Sequence, residues 1–149
     1  MLRVILAALG LTLVTVIIHG VGAMAAGRRA ARLWGERSDR PGWLGAELLL
    51  ARLVSALLLL HLAEAVAWAL FYVLAGLLPD LETAAYFSLT SYTTVGYGDV
   101  VLPEPWRLLG PLEAAVGVLM LGWSTGVLVA VIGMIYRHLA PSPAERKAR

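Results

Sequence analysis

Residues 93–99 of the chain read Thr-Thr-Val-Gly-Tyr-Gly-Asp, and this stretch lies between two long apolar segments. Its two glycines are separated by a single residue, and glycine readily adopts backbone angles that other residues avoid. Such angles allow successive carbonyl oxygens to point the same way. We therefore expect a loop that presents main-chain oxygens.

The composition places the chain in a membrane. Hydrophobic residues make up 60% of its 149 residues and charged residues only 15%, too few to cover a water-soluble globule of this size. The chain has no cysteine, which excludes a disulfide framework, a thiolate metal site and a cysteine nucleophile. The basic residues form two short blocks beside apolar segments, a pattern that indicates membrane topology and not a nucleic-acid partner.

Three apolar segments are long enough to cross a hydrocarbon core of ~30 Å as helices. We predict an N-terminal transmembrane helix over residues 1–27, a basic cytoplasmic connector with an interfacial segment over 28–52, a membrane module over 53–139 and a short cytoplasmic tail over 140–149. Basic residues in the connector and tail indicate the cytoplasm, so the amino terminus is predicted to lie outside. Arg3 and the apolar run after it also imitate a secretory signal, but a retained first helix fits the charge pattern better.

The membrane module has four predicted parts. An outer helix covers residues 53–78, a short helix 80–92, the glycine-bearing loop 94–98 and an inner helix 108–139. Asp80 is a suitable N-cap for the short helix. Because that helix cannot cross the bilayer, it should enter and return, and the loop after it must be buried in protein or face water.

This order of helix, short helix, loop and helix resembles the pore of potassium channels, specifically small bacterial members with two core helices and a re-entrant loop. In that family four loops meet on one axis, and their carbonyl oxygens replace the hydration shell of K+. The resemblance implies an all-α, homotetrameric, potassium-selective channel with no catalytic residues and no cofactor besides the permeant ion. It also implies the lipid bilayer of the bacterial inner (plasma) membrane as its surroundings. The implied filter is Thr94, Val95, Gly96, Tyr97 and Gly98, with K+ bound at the first four.

Residues around the loop are expected to support it. Some bacterial relatives carry a pore-helix glutamate behind the filter aspartate, whereas Thr90 occupies the corresponding position here. We interpret Glu113 as a substitute that reaches behind the filter, with a plain interfacial carboxylate as an alternative of equal weight. Trp106 is expected to anchor the outer face of the membrane. The predicted supports are Thr93, Asp99, Phe87, Thr90, Glu113 and Trp106.

The inner helix carries the predicted pore lining. Helical spacing and the resemblance together place Gly122, Gly126, Ala130 and Met134 toward the pore, and Met134 is predicted to form a hydrophobic gate near the cytoplasmic end. Gly122 and Gly126 also fit a small-xxx-small helix contact, which stays open as an alternative or additional role.

His19, His61 and Glu64 are ionisable residues deep within the predicted spans. His61 and Glu64 are one helical turn apart, and Glu64 lies close to the bilayer centre. A carboxylate at that depth is costly and is normally paired or protonated. His19 falls at a similar depth in the first span, so we expect it to meet the other two. The cluster is interpreted either as a structural hydrogen-bond network or as a pH sensor.

Other functions remain open. A less selective cation channel or a regulatory channel subunit would have the same sequence features. An intramembrane metal-dependent enzyme using His61 and Glu64 is disfavoured, because the sequence places no third ligand beside them and leaves the glycine-bearing loop without a purpose.

Overall fold

The computed structural model describes residues 1–36 and 42–139, and every regular element within those two ranges is helical. The helices are α1 (Leu2–Gly35), α2 (Trp43–Leu74), α3 (Leu81–Tyr92) and α4 (Leu109–Leu139), and a 3-10 turn at Trp106–Leu108 leads into α4. By length and composition, α1, α2 and α4 can each cross a membrane. The predicted all-α membrane fold with three spanning helices is confirmed.

The helices α1 and α2 extend further at the basic end than predicted. The first helix does not end at residue 27 as predicted, since α1 continues through Arg28 and Arg32 to Gly35. Arginine has a high helix propensity, and its long side chain lets the charge reach the interface while the helix continues. Likewise α2 starts at Trp43 and not at residue 53, so most of the predicted interfacial segment is helical. Residues 37–41 of the connector and the tail over 140–149 lie outside the described residues.

The helix α2 ends at Leu74, earlier than the predicted residue 78. Gly76 has a φ of 67° and lies just past the end of the helix. Its N–H donates to the Val73 carbonyl, and the Leu77 N–H donates to the Tyr72 carbonyl. This pair of bonds is the Schellman arrangement, in which a left-handed glycine satisfies the last carbonyls of a helix. The glycine therefore ends the helix before Pro79 is reached.

The short helix α3 begins as the sequence predicts. The Asp80 carboxylate accepts a hydrogen bond from the Thr83 N–H at 2.8 Å and another from the Thr83 hydroxyl at 3.0 Å. These bonds hold the pKa of the exposed Asp80 carboxyl below its ordinary value, with the backbone bond as the main cause. At ~1.5 Å per residue, the 12 residues of α3 reach only ~18 Å, too short to cross the membrane.

Two buried clusters hold the helices together at opposite ends. The first joins Val4 of α1 to Trp68 of α2, Phe87 of α3 and Leu109 of α4. The amino terminus of α1 therefore lies at the same end of the molecule as the loop that follows α3.

The second cluster joins Trp34 of α1 to Leu49 of α2 and Ile135 of α4. The Trp34 ring also meets His138 edge to face, with ring centroids 6.2 Å apart. The arginine-bearing end of α1 thus lies beside the carboxyl end of α4, far from the loop.

Candidate ion-conduction site

The loop of residues 94–98 has an alternating backbone. Thr94, Gly96 and Gly98 have φ values of 63°, 52° and 80°, whereas the residues between them have negative φ. A β-branched residue in the left-handed region costs ~1–2 kcal/mol, so Thr94 is held there by its surroundings. Alternation of this kind allows successive carbonyl oxygens to face one side.

Two hydrogen bonds tie this loop to the end of α3. The Thr94 N–H donates to the Ser91 carbonyl at 2.9 Å, and the Gly96 N–H donates to the Thr90 carbonyl at 3.0 Å. In contrast, no carbonyl oxygen of residues 94–98 accepts a hydrogen bond from the described part of the chain. The loop is therefore fixed through its N–H groups while its oxygens stay unpaired. These oxygens are available to a ligand.

The loop lies on the surface of the single chain. Val95 is 52% exposed and Tyr97 71% exposed, and all residues from 93 to 99 are exposed. An open depression of about 340 Å³ lies beside the loop, bounded by Phe87 of α3 and Pro111 of α4 among others.

Tyr86 is the residue of α3 that bonds Asp99, the aspartate directly after the glycine-bearing loop. Its hydroxyl donates to Asp99 Oδ2 at 2.8 Å, and this hydrogen bond raises the pKa of Tyr86. Its ring also stacks on Tyr97, with centroids 6.4 Å apart and planes 13° from parallel. Thr90, which stands where some bacterial relatives carry a glutamate, donates its hydroxyl to the Phe87 carbonyl. Tyr86 lies one helical turn before Thr90 and therefore on the same face of α3, so the sequence spacing could have identified Tyr86 as the partner of Asp99.

Glu113 was predicted to reach behind the filter as a substitute hydrogen-bonding group, but its partners among the described residues belong to α2 and α3 and not to residues 93–99. It is fully buried on α4, accepts a hydrogen bond from the Tyr72 hydroxyl at 2.6 Å and contacts the Ser88 hydroxyl of α3. The Ser88 hydroxyl also bonds the Ala65 carbonyl at 2.7 Å. Glu113 supports the back of α3, and sequence reasoning missed both Tyr72 and Ser88 as its partners.

The other predicted supports act by packing or local bonds. Phe87 is buried with its ring 5.3 Å from that of Tyr72, and Trp106 packs edge to face on Phe71. The Thr93 hydroxyl bonds the Leu89 carbonyl at 2.6 Å, one turn back in α3.

The predicted pore face of α4 is only partly exposed. Gly122, Gly126 and Ala130 are exposed, and a Cβ added at either glycine would meet nothing within 4 Å. Met134 is half-buried and packs against the second cluster, so it does not share the full exposure of the other three.

His19, His61 and Glu64 come together in the structure. His19 Nδ1 lies 2.9 Å from Glu64 Oε1, and His61 Nδ1 lies 3.4 Å from Glu64 Oε2. Two residues that sequence reasoning missed complete the group. Tyr92, the last residue of α3, donates its hydroxyl to Glu64, and the Ser124 hydroxyl of α4 lies 3.0 Å from His61 Nε2. All four helices therefore meet at this cluster.

Comparison with known protein families matches residues 56–134 to an ion channel family. The chain belongs to this ion channel family. The matched segment is more than half of the chain and contains the second half of α2, all of α3, the filter loop and most of α4. No curated protein and no solved structure matches the chain.

Membership of this family confirms the resemblance to channel pores, which was based on residues 93–99 and on the order of the helices around them. Together with the three apolar helices, it identifies an integral membrane protein of an ion channel family and not of an enzyme family. α1 and His19 lie outside the matched segment. The channel therefore combines a matched pore region with an additional helix that bonds directly to it.

Proposed function

We propose that the chain forms a homotetrameric, potassium-selective channel that conducts K+ passively along a central axis. The observation that carries this proposal is the set of unpaired carbonyl oxygens in residues 94–98, on a backbone of alternating φ. Rings of such oxygens replace the hydration shell of K+ in selectivity filters. In this proposal K+ binds at Thr94, Val95, Gly96 and Tyr97, and the Thr94 hydroxyl completes the innermost ring.

Four copies are needed because one chain supplies only one row of oxygens. An exposed irregular loop is not tolerated against lipid within the hydrocarbon core, but it is tolerated around a water-filled path. Cyclic assembly of identical chains would turn the four loops toward a shared axis. It would also place a neighbouring copy against the depression beside Phe87 and Pro111.

The dipole of α3 supports cation entry in this arrangement. The carboxyl end of α3 adjoins the filter, and the carboxyl end of a helix carries partial negative charge. In the tetramer, four such ends would favour a cation next to the filter. The exposed face of α4 with Gly122, Gly126 and Ala130 would line the wider part of the path, with Met134 as the hydrophobic gate.

The charge distribution supports an orientation with the amino terminus outside. Arg28, Arg32 and Arg137 lie at the end of the molecule opposite the filter, and basic residues next to membrane spans favour the cytoplasm. We assign the filter end to the outside of the bacterial inner (plasma) membrane. Labelling of single cysteines introduced at Arg3 and at Glu36 in intact cells would test this assignment.

The function is tested with the purified chain in liposomes. A K+ gradient opposed by Na+ should give a reversal potential close to the K+ equilibrium value, and cross-linking should show four subunits. Equal permeability to K+ and Na+ would indicate the less selective cation channel, and a folded tetramer without flux would indicate a regulatory subunit. A chain that forms no fourfold assembly refutes the proposal.

A matched pair of glycine substitutions separates filter chemistry from general backbone strain. Gly96 and Gly76 have φ values of 52° and 67°, and an added Cβ at either position meets nothing within 4 Å. Alanine in the left-handed region costs ~1–2 kcal/mol at both. We expect Gly96→Ala to lose K+ selectivity and Gly76→Ala to retain it. Equal selectivity in the two variants would contradict the placement of K+ at this loop.

A further inference from the structure

The structure supplies a third ligand that the sequence alone did not place beside His61 and Glu64. His61 and Glu64 lie one turn apart on α2, and His19 approaches them from α1. One donor atom from each of these residues lies within 4.8 Å of the other two. Two imidazole nitrogens and a carboxylate oxygen therefore converge inside the helix bundle.

The donors lie close enough together to surround one metal ion. With metal–ligand distances of 2.0–2.2 Å, the donors around a tetrahedral ion lie roughly 3.4 Å apart. His61 Nδ1 is 3.4 Å from one Glu64 oxygen, and His19 Nδ1 is 2.9 Å from the other.

Neighbouring groups orient the donors. The Ser124 hydroxyl lies 3.0 Å from His61 Nε2, so Nδ1 is the ring atom of His61 that faces Glu64. The Tyr92 hydroxyl lies 3.0 Å from His61 Nδ1 and also contacts Glu64, so it occupies the fourth side of the group. His19 Nε2 is buried without a partner among the described residues, and the ring is therefore held through Nδ1.

We propose that His19, His61 and Glu64 bind one divalent transition-metal ion per chain, with Zn²⁺ as the representative ion. Imidazole with carboxylate suits borderline ions of this class, whereas Mg²⁺ and Ca²⁺ prefer sets of oxygen ligands. The ion would compensate the Glu64 carboxylate at a depth where an uncompensated charge is costly. His61, whose side chain is 12% exposed, is the ligand through which the ion reaches the site.

An ion at this position would join the additional helix to the pore region. His19 belongs to α1, and Tyr92 is the last residue of α3 before the filter segment. The site would therefore fix α1, α2 and the end of α3 relative to one another. Its role is structural or regulatory, and no reaction is assigned to it.

The experiment uses the full chain, purified without a histidine tag and titrated with Co²⁺ while visible absorbance is recorded. We expect one Co²⁺ per chain with the intense bands of a tetrahedral site, displaced by Zn²⁺ and unaffected by Mg²⁺. His19→Gln should weaken Co²⁺ binding at least tenfold. His138→Gln is the matched control, because His138 is exposed and bonds the Met134 carbonyl away from this cluster, and it should bind as the wild type does.

Several outcomes would overturn the proposal. Absence of stoichiometric Co²⁺ binding by the wild-type chain is sufficient, and so is unchanged affinity in His19→Gln. Loss of binding in His138→Gln would place the ion at a surface histidine. If gel filtration shows that His19→Gln does not fold, Glu64→Gln takes its place with the same expected loss. Because binding is measured without flux, its failure is independent of potassium conduction.

Discussion

Gly117 of α4 packs directly against the backbone of Tyr92 at the end of α3, and alanine at this position should disrupt the channel. A Cβ there would lie 2.0 Å from the Tyr92 carbonyl oxygen and 2.9 Å from its carbon. Real Cβ contacts below 3.0 Å essentially never occur. The two helices would have to separate by at least ~1 Å, because the obstacle is backbone and not a side chain that can rotate.

The expected loss follows from two opposing effects. Overpacking in a closely packed interior costs about 1–3 kcal/mol, and a backbone obstacle belongs at the upper end of that range. Replacing glycine by alanine stabilises a helix by about 1 kcal/mol, because alanine has the higher helix propensity. We therefore expect Gly117→Ala to lose about 2 kcal/mol of stability. Because Tyr92 directly precedes the filter segment, K+ flux should fall at least tenfold as well.

Two other glycines in helices provide controls for this measurement. Gly10 is exposed on α1 with nothing within 4 Å, so Gly10→Ala should be neutral or slightly stabilising. At Gly110 the nearest atom is 3.2 Å away on the Phe87 ring, which can shift, so Gly110→Ala should be intermediate. Unfolding in detergent and flux in liposomes are measured for all three variants. The reasoning is refuted if Gly117→Ala is as stable and as conductive as Gly10→Ala.

Further predictions concern the gate, the filter support and the cap of α3. Met134→Ala should raise the basal K+ leak in liposomes, and an unchanged leak would remove the gate assignment. Tyr86→Phe should speed the decline of K+ current during sustained conduction, because Asp99 loses its 2.8 Å bond while the ring stacking is kept; decline at the wild-type rate would contradict this role. Asp80→Ala should destabilise the channel at neutral pH, where the carboxylate accepts the Thr83 N–H. Since the pKa of Asp80 is lowered, this difference should begin to shrink as the pH falls below roughly 4 and should be lost only once the pH passes below the lowered pKa, and thermal unfolding across pH checks it.

Features set by local sequence could be predicted. The three spans follow from apolar runs, and the cap of α3 follows from Asp80 before an apolar segment. The helix ends were less predictable. The outer helix stops at Gly76, which has a left-handed backbone conformation, before Pro79 is reached, whereas α1 continues through its arginines. An apolar run indicates which residues lie within the membrane, but it does not show where helical hydrogen bonding ends.

Features that depend on how helices face one another were predicted less well. Glu113 was predicted to replace the glutamate that some relatives carry at the position of Thr90, yet the partner of Asp99 is Tyr86, and Glu113 instead bonds Tyr72 and Ser88. The rotation of α3 about its own axis decides this choice. Sequence spacing defines which residues share a helix face, but not which neighbouring group that face meets.

The amino-acid sequence by itself determined that this protein is helical, spans a membrane and carries the glycine-bearing loop of a channel pore, since hydropathy and backbone freedom are properties of short segments. Only the tertiary structure decided that His19 of α1 bonds Glu64, that Tyr92 and Ser124 join this cluster, and that Gly117 touches the end of α3. These contacts join residues from separate helices. They depend on helix crossing and rotation, which the packing of the whole chain determines.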